Sequence, residues 1–206
     1  MNIGVIVDGQ AEFRSLNALF SKRLSPQNSL LTPIYADIQP HAPLPQIVGT
    51  IKKKLPILRS RNVGMVLVLL DRENRSVCPG DWAHQIESAL QGHCNSAGCG
   101  IVRAIVKETC YENWLVADTN VFRMIPKRFS INPRVLESIN NDRADRVNAQ
   151  SILQHSALIR AYDKIDDSIR IMRLADPQQI AKNSRSFRRL LRVIGNPAFK
   201  DQSMNP

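Results

Sequence analysis

No stretch of this sequence approaches the roughly 20 consecutive apolar residues that a membrane-spanning helix needs. The longest apolar run, Met65 to Leu70, is far shorter. The N-terminus has no basic leader, and its aliphatic run is cut off by Asp8, so a signal peptide is not expected and the chain reads as cytoplasmic. Cysteine is scarce: Cys78, Cys94, Cys99 and Cys110 do not make a disulfide framework in a chain of 206 residues. His93, Cys94 and Cys99 fit no common zinc spacing, and no C-x-x-C pair is present. Neither G-x-x-x-x-G-K-[ST] nor a G-x-G-x-x-G after the first strand occurs, which argues against a glycine-rich phosphate loop. The four histidines, His41, His84, His93 and His155, form no pattern, and no serine sits on a nucleophile elbow.

What the sequence does have is positive charge. Twenty-eight Lys and Arg against 18 Asp and Glu give a formal net charge of +10. Such a balance favours an anionic partner, with nucleic acid ahead of an anionic membrane. The 43% hydrophobic content is that of an ordinary globular protein with a sizeable core.

Short aliphatic runs alternate with helix-length segments. Residues 3–7 read as a buried strand, and Phe13, Leu16, Phe20 and Leu24 follow at helical spacing. Leu30 to Ile38 reads as a second strand, at an edge because Pro33 interrupts it. Ile47, Ile51, Leu55 and Leu58 mark a second helix, with Pro56 as a kink position. Val63 to Leu70 is the strongest strand, Trp82 to Leu90 the next helix, and Gly100 to Val106 a fourth strand. The alternation predicts an α/β fold, a four-stranded, mainly parallel sheet flanked by helices in Rossmann-like fashion. Tyr111 to Phe122 reads as helix and residues 126–134 as loop. The division expected is an α/β domain over residues 1–125, with a helical C-terminal extension over 126–206 packed on it.

Two of the strand-like runs stop on a carboxylate. "IGVIVDGQAE" ends on Asp8 with Glu12 close behind, and "VLVLLDRENR" ends on Asp71 with Glu73 two residues on. With the common strand order 2-1-3-4, the strands bearing Asp8 and Asp71 are neighbours at the point where the order reverses, which is where ligands bind. The fourth strand leads into "VKETCYENWLVAD", bringing Glu108, Glu112 and Asp118 towards the same rim. Carboxylates held that close repel unless a cation sits among them. Oxygen ligands without His or Cys suit Mg²⁺ or Mn²⁺. In a basic protein such an ion points to phosphodiester chemistry, with a second ion about 4 Å from the first also compatible. Each acid has a plainer role open to it. Glu12 can cap a helix start, Asp8 and Asp71 can be turn residues, and Glu112 and Asp118 can be solvated helix charges.

At these residues the sequence resembles the Toprim superfamily, and in particular small stand-alone Toprim-like proteins that accompany OLD-type or ABC-type ATPases. The resemblance rests on "VDGQAE", on "LLDRE" in the place of a D-x-D element, on Glu112-Asn-Trp-Leu-Val-Ala-Asp118, and on "NSRSFRRLLRVI". It spans most of the chain, in order. It implies a Mg²⁺-dependent nuclease acting on DNA or RNA with a separate ATPase, in defence against phage or foreign DNA. By position it gives Asp8 the acid/base or metal-ligand role and Asp71 with Glu73 the Mg²⁺-binding role. Two residues depart from the pattern: Asp8 stands where Glu is usual, and Glu73 where Asp is usual. Each swap changes reach by about 1.5 Å, one carbon–carbon bond.

Together these readings assign catalysis to Asp8, Glu12, Asp71, Glu73 and Lys164, the last reaching in from "AYDKIDD" to stabilise transition-state charge. They assign metal binding to Asp8, Asp71, Glu73, Glu108 and Glu112. Lys182, Arg185, Arg188, Arg189 and Arg192 form a basic end free of acids from Pro177 to Lys200. Its four arginines share one helix face beside the apolar stripe Phe187, Leu190, Leu191 and Ile194. That face suits phosphates, and a solvated face or contacts with an acidic ATPase surface suit it as well. A non-catalytic subunit that docks nucleic acid or the ATPase through this helix is the alternative reading. No membrane partner is expected, and homo-oligomerisation is left open.

Overall fold

The computed structural model describes residues 1–39 and 41–202. Strand β1 (Asn2–Val7) runs parallel to two short strands, β2 (Ser29–Leu30) and β3 (Ile34–Tyr35), along one edge. On its other edge it pairs with β4 (Met65–Asp71), and β4 pairs with β5 (Ile101–Lys107), again in parallel. The sheet therefore has five strands where four are predicted, because the second expected strand is cut in two. Pro33 carries no N–H to donate, and pairing with β1 lapses between Leu30 and Ile34. The order, β2 and β3 beside β1, then β4, then β5, otherwise follows the alternation of the sequence.

Both sheet faces are covered, which is why the central strands are apolar almost without interruption. The first face is covered by α1 (Gln10–Phe20), and the second by α2 (Leu44–Lys52), α3 (Leu55–Ser60) and α4 (Pro79–Ser96). Side chains alternate between the two. Val5, Val7, Leu67 and Leu69 point to the α1 side, while Ile6, Val66, Val68 and Leu70 point to α4. The expected kink at Pro56 is a break between α2 and α3, with Pro56 in the first turn of α3.

Beyond β5 come α5 (Glu112–Ala117), α6 (Asn120–Met124), α7 (Pro133–Ile139) and α8 (Ala149–Ser156). Then follow α9 (Asp166–Leu174), α10 (Pro177–Asn183) and α11 (Arg185–Val193). The predicted single helix from Tyr111 to Phe122 breaks at Asp118, whose side chain accepts from the N–H groups of Asn120 and Asp176 at 3.1 and 2.8 Å. A side chain that bonds nearby backbone in this way competes with helix continuation. Leu153, Ile171, Phe187 and Leu190, from three of the late helices, pack into one core with Val5, Leu16 and Leu69. Burial of each such side chain is worth about 1.5–3 kcal/mol. A division at residue 125 thus runs through a core rather than between two cores. No helix among the described residues is long and apolar enough to cross a membrane.

Gly100 fixes the start of β5. Its φ is +70°, and a Cβ there would lie 2.1 Å from the carbonyl oxygen of Gly64, just ahead of β4. Gly100→Ala is expected to cost at least about 1–3 kcal/mol from the left-handed backbone alone. Urea unfolding measures this, and an unchanged midpoint would contradict the role assigned to Gly100.

Candidate active site

Register, not proximity in sequence, assembles the site. Val7 lies opposite Leu69, so Asp8 leaves β1 next to the end of β4, and the Asp71 N–H donates to Asp8 Oδ2 at 3.0 Å. Asp71 is the register partner of Lys107 on β5. Both continue the alternate series that points to the α1 side, Leu69 to Asp71 and Ile105 to Lys107. The first turn of α1 supplies Glu12. Lys107 is buried, with its side chain 1% exposed, and its ammonium pairs with Glu12 Oε1, with Asp71 Oδ1 at 3.0 Å and with Asp8 Oδ1 at 3.8 Å. One oxygen from each of Asp8, Glu12 and Asp71 lies within 4.8 Å of the others. Gly9, ahead of α1, makes room: a Cβ there would stand 1.9 Å from Glu12 Oε2.

One buried ammonium cannot neutralise three carboxylates. Burial raises the affinity of Glu12 for its proton well above the ordinary range, with Lys107 pulling it back and Asp8 and Asp71 adding to the rise. Burial likewise pushes Asp71 up to about 7, against the pull of Lys107. Burial opposes the charge on Lys107, yet Asp71, Glu12 and Asp8 more than reverse it and hold the ammonium well above its ordinary pKa. Asp8 Oδ1 and Asp71 Oδ1 are buried and accept no hydrogen bond. Their charged partner is the Lys107 ammonium, which leaves the three acids in excess, and an all-oxygen donor set with surplus negative charge fits a hard divalent cation.

The other predicted residues fall into three groups. Glu73 and Glu112 line the same two cavities as Asp71, of about 440 and 420 Å³, without joining the cluster of three carboxylates. Glu73 sits at φ 52°, unusual for a residue with a side chain, where its N–H donates to Thr109 O. Glu112 is buried and pairs with Lys164 at 3.4 Å, so Lys164 does reach the rim. Glu108 turns away to Arg72 at 3.5 Å and lies outside the cluster. Asp118 is held by backbone near α10 and is not at this rim.

The arginine stripe of α11 does not stand free as a phosphate-binding face. Arg189 is buried. Arg188 pairs with Asp142 at 2.7 Å and donates to Ala181 O and to Gln202 Oε1, and Arg192 donates to Gln202 O. Residues after α11 fold back over the stripe, and an acid from far upstream neutralises part of it. Lys182 is exposed and Arg185 partly so.

Behind the carboxylates stands a wall to which two motifs singled out in the sequence contribute, the one around Trp114 and the one around Phe187. Trp114 meets Phe187 edge to face at 5.2 Å and donates from Nε1 to Ser186 Oγ at 2.8 Å. Asp145 accepts from Ser184 Oγ and from the Ser186 N–H, both at 2.8 Å. The Trp114 ring centre lies 5.7 Å from the Lys107 ammonium, within cation–π range. Sequence reasoning missed Lys107 and Asp145. The one signal for Lys107 was its place two residues after Ile105, in the inward-facing series of the fourth strand; Asp145 had no local signal.

Asp71 binds its proton more tightly folded than unfolded, so its contribution to stability is complete below its ordinary value of 3.8 and is lost as pH rises through about 7. Glu12 acts in the same direction. With a chelator present, the protein should melt at a higher temperature at about pH 5 than at about pH 8, and Asp71→Asn should shrink that gap. A melting temperature that climbs between those values would contradict the assignment.

No curated protein and no solved structure was found to match the chain. A family model described as a domain of unknown function, DUF4276, matches residues 7–195, from the last residue of β1 to just past α11. The match takes in Asp8, Glu12, Asp71 and Lys107 together with the wall behind them, and the chain belongs to the DUF4276 family.

Proposed function

We propose that the protein is a divalent-metal-dependent nuclease of Toprim type that hydrolyses phosphodiester bonds in DNA or RNA. One observation carries this reading. Asp8, Glu12 and Asp71 converge at the carboxyl edge of a parallel sheet, two of them with buried oxygens that accept no hydrogen bond. Asp8 and Asp71 would hold Mg²⁺ or Mn²⁺. Such an ion, when bound, would supply Lewis acidity towards a phosphoryl oxygen and would make a water more acidic. Glu12, anchored by Lys107, fixes the inner side of the cluster. Lys164, more than half exposed at the cavity rim, is placed to meet the negative charge of a phosphate, steadied by Glu112. The net charge of +10 would draw a polyanion towards the protein at long range. The Toprim resemblance adds a separate OLD-type or ABC-type ATPase as partner and a role in defence against phage or foreign DNA.

A second reading, a non-catalytic subunit that docks nucleic acid or the ATPase, is favoured by the buried ammonium of Lys107, which gives the acids a structural partner of their own. The two readings part on metal and cleavage. Purified protein, alone and with its ATPase, should cut labelled DNA or RNA in Mg²⁺ or Mn²⁺ and stop in chelator. Asp71→Ala should slow cleavage by roughly 100-fold or more. Cleavage undiminished in Asp71→Ala, or none under any of these conditions, would eliminate the nuclease and leave the docking subunit.

A further inference from the structure

The cluster is a mixed one, and its composition limits what it can accept. Asp8, Glu12, Asp71 and Lys107 together carry three carboxylates and one ammonium, a net charge of two negative when all are ionised. Glu112 and Lys164 beside it offset one another. One divalent ion balances that charge, while a second would leave the buried site as positive as it had been negative, at a heavy desolvation cost.

The donor atoms give the same count. Glu12 is held at Oε1 by Lys107, and its Oε2 fills the space that the missing Cβ of Gly9 leaves open. Asp8 Oδ2 already accepts from the Asp71 N–H. Asp8 Oδ1 and Asp71 Oδ1, one from each aspartate, accept no hydrogen bond and face Nζ at 3.8 and 3.0 Å. Paired metal ions in hydrolytic sites lie about 3.5–4 Å apart and share carboxylates between them. Here the space between Glu12 and Asp71 is held by the ammonium Nζ, 3.0 Å from Asp71 and over the Trp114 ring.

We infer that Lys107 stands in the place a second cation would take, so that the site accepts one divalent ion and no more. Lys107 is thus a positioning residue. It fixes the carboxylates of Glu12 and Asp71 and sets the metal count without contacting the metal. The inference rests on the metal-binding part of the proposed function, but its readout is stoichiometry and not turnover.

Mn²⁺ titration followed by electron paramagnetic resonance counts bound ions directly. The wild-type chain should bind one ion, and Lys107→Arg, which keeps the positive charge, should also bind one. Lys107→Met should bind two, because the charge and the space that Lys107 held become free. Two ions in the wild type, or none, would overturn the inference, and so would a folded Lys107→Met protein that still binds one. Should Lys107→Met fail to fold, Lys107→Gln, polar but uncharged, should likewise bind two, and a folded Lys107→Gln protein that binds one overturns the inference. One bound ion without cleavage of any nucleic acid removes the nuclease reading and keeps this one; cleavage with two bound ions does the reverse.

Discussion

A single ammonium group, that of Lys107, holds the carboxyl edge of the sheet together. It lies buried between the ends of β1, β4 and β5 and the first turn of α1, paired with acids from three separate segments. Removing one partner of a buried ion pair typically costs about 3–5 kcal/mol, because the remaining charge is left stranded. Lys107 has three carboxylates facing it, so the penalty for its loss is spread over the whole cluster. The orientation of Asp71, the seating of Glu12 over Gly9 and the approach of Trp114 all refer back to this one charge.

The sheet delivers the acids and the late helices keep them dry. Parallel pairing puts the carboxyl ends of β1, β4 and β5 on one rim, so acids from distant points of the chain arrive together. The cover on that side is completed by α5, α8, α9 and α11, whose apolar faces join α1 in one core. The Trp114, Ser186, Phe187 and Asp145 contacts tie α5 to α11 directly behind Lys107. A second buried pair does comparable work farther along. Arg128 binds both oxygens of Asp167 and donates to the carbonyls of Leu158, Arg160 and Ala161, which fixes the segment that leads to Lys164.

What could be read from the sequence was local, and what could not was register and distant pairing. Asp8 and Asp71 were legible because an aliphatic run that stops on an acid is a pattern within a few residues. The α/β alternation was legible for the same reason, and Pro33 marked the weak edge strand. Lys107 was obscured by its surroundings, one basic residue among 28, flanked by Val106 and Glu108. Its meaning depends on lying opposite Asp71 across two strands, and no sequence window contains both. Glu108 drew attention for its position just past a strand, but it falls on the other side of the alternation from Lys107 and meets Arg72. The partners of the α11 arginines were out of reach for a related reason. Helical periodicity describes a helix by itself, whereas Arg188 finds Asp142 from 46 residues upstream and Gln202 closes over the helix from behind. Asp145 joins Ser186 from 41 residues away.

A lysine built into the pocket also separates two events that many metalloproteins merge. Where a structural metal is the only cation among its ligands, the empty polypeptide is unfolded and a chelator denatures it. Here the polypeptide brings a counter-charge of its own, covalently attached and present from synthesis onward. Folding can then run to completion with no ion bound, and under the function proposed above a divalent ion would alter occupancy and not survival.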